Sequence, residues 1–160
     1  MDKKILHHRS VNKLVLVLAF VVFFSCIALG KIGGTVPDFR GSDFAKMTQL
    51  RLSSHEAKGD VFLGSNDLMV AVFFGADGKI TKQRMKWRNN RVPEGTIATK
   101  LILSFFMEAT GAQESDRKTL LDKMLEAQLM GTSVQFRGFT LLYGELDVNG
   151  HKDLLLEVSR

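Results

Sequence analysis

The chain contains very little cysteine and proline. One cysteine in 160 residues excludes a disulfide scaffold, and two prolines exclude a proline-rich stalk. The sequence also has no G-x-S-x-G motif and no phosphate-binding glycine loop. Its 45% hydrophobic and 24% charged residues are typical of a folded protein and exclude a disordered or collagen-like chain. Clues to function must therefore come from the distribution of charge and hydropathy.

The net charge of +5 is unevenly distributed along the chain. Residues 1–13 hold four basic side chains and one acidic side chain, whereas residues 14–30 hold no charge. Residues 31–160 hold 18 basic and 16 acidic side chains, so their net charge is only +2. The basic character belongs mainly to the N-terminal tail, which makes nucleic-acid binding by the folded part a weak hypothesis.

The apolar segment LVLVLAFVVFFSCIALG at residues 14–30 is the strongest signal in the sequence. It fits a retained transmembrane helix, because Lys13 and Lys31 flank it and Ile32 continues the apolar run. It also fits a cleaved secretory signal, with residues 28–30 as the cleavage site. A third interpretation is a lipoprotein signal in which Cys26 is lipidated. We predict the retained anchor.

The basic residues ahead of the apolar segment determine its orientation. They keep the N-terminus in the cytoplasm and place the remainder of the chain outside. The sequence therefore predicts a cytoplasmic basic tail at 1–13, an anchor or uncleaved signal at 14–32, a tether and irregular segment at 33–60, and an exported domain at 61–160. The expected location is the inner (cell) membrane, with the C-terminal domain in the periplasm or another extracytoplasmic space.

The exported part alternates between strand and helix signals in segregated blocks. Residues 68–74 predict a strand buried on both sides, followed by an Asp-Gly turn and a second strand at 79–88. Thr96 and Gly111 predict the ends of a buried helix. Ser115 and Gly131 predict the ends of a second helix with one apolar face (Leu120, Leu121, Met124, Leu125 and Leu129). Residues 134–148 and 151–158 predict a hairpin around Asn149-Gly150.

This order predicts the fold class. Strands and helices that are segregated along the chain indicate an α+β domain. We expect an antiparallel sheet in the order β-β-α-α-β-β, with two helices packed on one face, preceded by the N-terminal transmembrane helix.

The sequence gives little support for catalysis or metal binding. His55 lies in a polar segment and His151 follows a turn, and neither has a nucleophile or a ligand set at useful spacing. Glu145 and Asp147 share one strand face, which is explained by alternation on a half-exposed strand. We therefore assign no catalytic residue, no metal ligand and no cofactor, and whether the chain is an enzyme stays open.

A cluster of basic residues is the one candidate binding site. Lys82, Arg84, Lys86 and Arg88 are spaced two apart, so they project from one face of a strand, and Arg91 follows. Met85 and Trp87 lie on the other face with Gln83. Such a row either remains a solvated face, protected against aggregation by its lysines, or contacts an anionic group. Its repulsion is relieved if neighbouring strands supply anions.

These features predict a membrane-anchored binding or accessory protein of the cell envelope. The expected partners are the membrane and either another envelope protein or an anionic lipid or polymer surface, but not nucleic acid. The alternatives are a small envelope hydrolase with an unrecognised site and a lipid-binding carrier. The carrier would need a cavity between the first helix and the sheet.

Overall fold

The computed structural model describes residues 30–87, 92–148 and 150–160. Seven antiparallel strands form one sheet in the order β1-β2-β3-β4-β7-β6-β5. The strands are β1 (Arg51–Glu56), β2 (Gly59–Leu63), β3 (Leu68–Phe74), β4 (Ile80–Trp87), β5 (Ser133–Phe136), β6 (Phe139–Val148) and β7 (His151–Ser159). The helices are α1 (Val36–Gly41), α2 (Asp43–Met47), α3 (Thr96–Thr110) and α4 (Arg117–Met130). The prediction of an α+β domain with an antiparallel sheet is confirmed.

The predicted tail and most of the predicted anchor, residues 1–29, lie outside the described residues. Within the described part of the chain, no helix is long and apolar enough to cross a membrane. The last residues of the predicted anchor belong to the domain, because Ile32 is buried and its N–H donates to the Ala109 carbonyl at 2.9 Å. The predicted boundary at residue 32 is corrected, since the fold already includes Gly30.

Residues 33–60 were expected to be a tether, but they fold into the domain. Thr35 caps α1, and its side chain and backbone exchange hydrogen bonds with Asp38 three positions later. Pro37 lies in the first turn, where its missing N–H removes no helical hydrogen bond. The local sequence therefore starts a helix within a segment rich in glycine and serine.

Two aromatic side chains attach this segment to the core. Phe39 of α1 is fully buried and its ring lies 5.3 Å from that of Phe62 on β2. Phe44 of α2 packs 5.8 Å from Phe105 of α3. The predicted tether is corrected to two short helices and the edge strand β1, so the domain extends from residue 30 rather than residue 61.

The sheet consists of two sets of consecutive strands, β1–β4 and β5–β7. They are joined by the pairing of β4 with β7, in which Met85 lies opposite Leu156. Helices α3 and α4 connect β4 to β5. The structure thus has four strands before α3 and three after α4, which is more than the predicted order contained.

The hydrophobic core lies between the helices and one face of the sheet. Every second residue of β3 and β4, including Val70, Val72, Met85 and Trp87, contributes to it. The intervening residues point to the other side because side chains alternate along a strand. We call that other side the open face. Its residues on the central strands are Val61, Leu63, Met69, Ala71, Phe73, Lys82, Arg84, Lys86, Leu155 and Glu157.

Helix α3 forms the centre of the core, although it is not buried on all sides. Phe105 and Phe106 are fully buried, whereas Ile97 at its first turn is 62% exposed. Gly111 ends the helix in the left-handed conformation, as predicted. The N-cap residue is Gly95 rather than the predicted Thr96, which is the first helical residue.

Helix α4 buries a narrower face than its sequence indicated. Leu120, Met124 and Ala127 are buried, while Leu125 and Leu129 are 48% and 86% exposed. The N-cap residue is Asp116 rather than the predicted Ser115. The sequence placed Leu125 and Leu129 on the apolar face, but both are exposed. The small side chain of Ala127 is buried there instead.

The predicted strand 134–148 is divided into β5 and β6. Arg137 and Gly138 both have positive φ, 50° and 80°, and form the turn between them. The guanidinium of Arg137 donates to both oxygens of the buried Asp116 carboxylate, at 2.6 and 2.5 Å, which holds the turn against the start of α4. The next hairpin follows the prediction, with β6 and β7 flanking residues 149–150.

Candidate functional site

The basic residues of β4 lie together on the open face. Lys82, Arg84 and Lys86 are half-buried there, whereas Met85 and Trp87 are fully buried on the opposite side. This alternation follows the prediction from spacing. Arg88 and Arg91, the other two predicted site residues, lie outside the described residues.

Strand β7 supplies anions to this row. Glu157 lies directly opposite Arg84, and its Oε2 accepts from Nε at 2.9 Å and Nη2 at 2.6 Å. Lys82 Nζ lies 3.8 Å from the same oxygen, and Lys86 Nζ lies 3.6 Å from Asp153 Oδ2. We call these five side chains the charge ladder. It relieves the repulsion among the cations and leaves one positive charge in excess.

The charge ladder lies between apolar residues. Val61, Met69 and Ala71 occupy the open face on β2 and β3, and Leu155 occupies it on β7. None of them belongs to the core cluster. The prediction that residues 68–74 are buried on two sides is corrected in part: the helices cover one face of β3, while on the open face Ala71 is buried and Met69 and Phe73 are half-buried.

Phe73 connects the apolar and basic parts of the open face. The Nζ of Lys82 lies 4.8 Å from its ring centroid, and the guanidinium carbon of Arg84 lies 5.6 Å away. Cations over an aromatic face are attracted by the ring electrons, and their methylene stems cover apolar surface. The two cations therefore hold positions fixed by both Phe73 and Glu157.

His55 has a more specific environment than its sequence suggested. Its Nδ1 is hydrogen-bonded to the carboxylate of Asp60, which is buried, and Arg40 Nη2 lies 3.7 Å from the other oxygen of Asp60. The imidazole also stacks on Phe74, with centroids 6.4 Å apart. A buried carboxylate on Nδ1 orients an imidazole as in hydrolases, but no hydroxyl contacts the ring in the part of the chain described here.

Asp147 and Glu145, the other candidate acids, lie on β6. Asp147 Oδ1 accepts the N–H of Gly150 at 3.0 Å and so stabilises the β6–β7 turn. Burial raises the pKa of Tyr143, and the nearby charge of Glu145 raises it further. Within residues 30–87, 92–148 and 150–160, no three acidic, histidine or cysteine side chains meet as metal ligands.

The start of the domain is held by two buried polar side chains. The Gly30 N–H donates to Glu108 Oε1 at 2.6 Å, and the Gly30 carbonyl accepts from the amide of Gln83, which is fully buried in the core. A Cβ at this position would lie 2.7 Å from Glu108 Oε1 and 3.0 Å from the Phe39 ring. A larger residue here would displace the Glu108 carboxyl or the Phe39 ring, and we call this contact the Gly30 clamp.

Glu108 of the clamp has an altered acidity. Burial raises its pKa above the ordinary value of 4.5, the Gly30 hydrogen bond opposes that rise, and the charge of Asp43 adds to it. The clamp therefore places a carboxyl group with a raised pKa against Gly30, the first described residue of the domain.

Sequence reasoning missed the anionic half of the charge ladder and the whole Gly30 clamp. Asp153 and Glu157 are four positions apart on one strand, which places them on the same face. Their pairing with β4 depends on strand order, which no local pattern reveals. For the clamp, the sequence did contain one signal, because Gln83 is a polar residue on the otherwise apolar side of β4.

Comparison with known proteins adds no further assignment, because no family model, curated protein or solved structure matches this chain.

Proposed function

We propose that this chain is a membrane-anchored binding or accessory protein of the cell envelope, and that the open face of its sheet contacts the partner. The observation that carries the proposal is β3, which has apolar residues on both faces while helices cover only one. Strands of this composition are ordinarily covered on both sides. Met69, Ala71 and Phe73 therefore support contact with a second molecule.

The N-terminal segment supports the membrane location. Residues 14–29 are uncharged and follow a basic tail, which favours a cytoplasmic N-terminus and an exported domain. A helix over these residues would be about 24 Å long. That length is short for a bilayer core of about 30 Å, and snorkelling by Lys13 and the exposed Lys31 makes up the difference.

The Gly30 clamp supports retention of this segment over cleavage at residues 28–30. Cleavage after Gly30 would leave the amide of Gln83 without its acceptor and Glu108 without its backbone donor. Buried polar groups that lose their partners destabilise a fold. A retained helix over residues 14–29 would place the domain directly at the membrane, because the fold already includes Gly30.

The charge ladder supports a protein partner over a uniformly anionic polymer. Among the described residues of the ladder, three cations face two carboxylates, so one positive charge is in excess, and the flanking residues are apolar. Interfaces between proteins combine apolar contacts with a few charged pairs in this way. In the crosslinking experiment below, crosslinks to lipid or polymer would indicate an anionic surface as the partner instead.

Site-specific photo-crosslinking tests the proposed surface. A photoreactive residue replaces Val61 on the open face, and in a matched variant it replaces Leu129, which is 86% exposed on α4. We expect the full-length protein, in the cells that make it, to crosslink to a specific protein only from position 61. Identical products from both positions contradict the proposal, and crosslinks to lipid or polymer alone replace the protein partner by an anionic surface.

Charge variants test the contribution of the ladder. Lys82→Gln and Lys86→Gln together lower the positive charge without placing a carboxylate beside Glu157. We expect them to reduce crosslinking from position 61, most strongly at low salt, because salt screens such contacts. Lys118→Gln, on exposed α4, is the control. If the wild type, the double variant and Lys118→Gln crosslink equally at low salt, the charge ladder does not contribute to the contact. The proposal is then restricted to the apolar residues of the open face.

The hydrolase alternative has weaker support. A surface depression of about 450 Å³ lies beside Ser53 and Leu63 at the opposite end of β1 from His55, and His55 does not line it. A substrate site needs a concave pocket with converging polar groups. The His55–Asp60 pair therefore lies apart from this depression.

A further inference from the structure

A cleft of about 300 Å³ lies between helices α2 and α3 and the covered side of the sheet. Leu68 of β3 and Leu101 of α3 line it, and Met47 and Ile97 line it as well, although they are 53% and 62% exposed. Large apolar side chains are thus exposed to solvent along one small concave surface. Its volume is at the lower end of the range for ligand sites.

Trp87 gives the cleft an unsatisfied polar group. Its ring is fully buried and lines the cleft, and its indole N–H has no acceptor among the described residues. Buried indole N–H groups normally have a hydrogen-bond partner. This N–H is shielded from solvent, so an acceptor on a ligand would reach it only where the cleft opens beside the ring.

Lys100 gives the cleft a charge. It is exposed, lines the cleft from α3, and pairs with no acidic side chain in the part of the chain that the structure describes. An apolar surface next to an unpaired cation is complementary to a molecule with an apolar chain and an anionic end.

We propose that this cleft binds a single-chain anionic amphiphile of the fatty-acid type. The acyl chain lies along Met47, Leu68 and Leu101, and the anionic head group lies at Lys100 within reach of the indole of Trp87. The site is independent of the proposed partner surface, because it lies on the covered side of the sheet.

Quenching of Trp87 fluorescence tests this site directly, since Trp87 is the only tryptophan in the chain. The full-length protein, held in a tryptophan-free amphipathic polymer, is titrated with dodecanoate that is brominated on the carbon next to its carboxylate. We expect saturable quenching, because bromine quenches only at close range. We expect weaker quenching by brominated dodecanol and by a brominated cationic amphiphile of equal length.

Two variants separate specific binding from partition into the polymer. Lys100→Glu should weaken the apparent affinity about fivefold or more, because it replaces an attractive surface charge pair by a repulsive one. Ile97→Glu should also weaken it, and its exposed position tolerates the change. Lys118→Glu, on the exposed side of α4, should bind as the wild type does, and circular dichroism checks that all variants fold.

Two arms identify the head group and the limits of the proposal. Brominated dodecyl phosphate is compared with the brominated carboxylate. Tighter binding of the phosphate indicates a phospholipid source, and tighter binding of the carboxylate indicates a fatty-acid source. Both results support an anionic amphiphile. Non-saturable quenching, equal quenching by anionic and cationic amphiphiles, or equal affinity in the Lys100→Glu and Lys118→Glu variants overturns the proposal.

Discussion

Replacing Glu108 by glutamine or by alanine separates the charge of this side chain from its hydrogen bond. Glutamine keeps an oxygen that accepts the Gly30 N–H, which lies 2.6 Å from Oε1 in the wild type, and it removes the charge. Alanine removes the acceptor and leaves that N–H buried. We therefore expect Glu108→Ala to lower the free energy of unfolding by about 1–3 kcal/mol, the penalty for a buried donor without a partner.

The pH dependence distinguishes the two effects. The pKa of Glu108 is raised in the folded state, so between its ordinary value of 4.5 and the raised value the folded protein binds more protons than the unfolded chain. The stabilisation linked to this carboxyl is fully present below about pH 4.5 and is lost as the pH rises through the folded-state pKa. Glu108→Gln removes this dependence, and we expect it to be at least as stable as the wild type at pH 7.

Chemical denaturation followed by Trp87 fluorescence at pH 5 and pH 7 measures these differences. Glu114→Gln is the control, because this exposed carboxylate pairs with Arg117 at 2.8 Å on the surface and should change stability by less than about 1 kcal/mol. A loss below about 0.5 kcal/mol in Glu108→Ala would show that Gly30 is not held by the clamp. A Glu108→Gln profile parallel to that of the wild type would refute the raised pKa.

Three further measurements test the core, the clamp and the N-terminal segment. Phe105→Ala should lower the free energy of unfolding by about 3–5 kcal/mol, since Phe105 is fully buried, and a loss below about 1 kcal/mol would contradict its central position. Gly30→Ala should lower the denaturation midpoint because its Cβ meets Glu108 at 2.7 Å, whereas Gly41→Ala has nothing within 4 Å and should not. The intact mass of the mature protein should equal the 17.9 kDa of the full chain, and a mass lower by about thirty residues would show that the N-terminal segment is cleaved.

The elements predicted best were those with strong local signals. Residues 68–74 form β3 within the predicted limits, and β6 and β7 lie on either side of residues 149–150 as predicted. Gly111 ends α3 because glycine adopts the left-handed conformation without a steric penalty. In each case neighbouring residues alone determine the outcome.

The parts that were missed depend on tertiary context or on weak local signals. The edge strand β1 is exposed at all of its positions, so it has no apolar period to detect. Helix α1 did have a signal, the Thr35–Asp38 capping box, but a segment rich in glycine and serine concealed it. The charge ladder and the Gly30 clamp join residues that are distant in sequence, and only the completed sheet brings them together.

The position of β7 has a consequence for the order in which the sheet is assembled. Strand β7 is the last to be synthesised, yet it lies in the middle of the sheet, and Arg84 is separated from Glu157 by 73 residues. Until β7 is present, β4 is the outer strand of the β1–β4 unit and its backbone groups are free to pair with another chain. Lysines along an exposed edge disfavour such pairing. In a half-assembled sheet, Lys82 and Lys86 would therefore disfavour pairing of β4 with another chain, and once β7 pairs with β4 the same lysines become cations of the charge ladder.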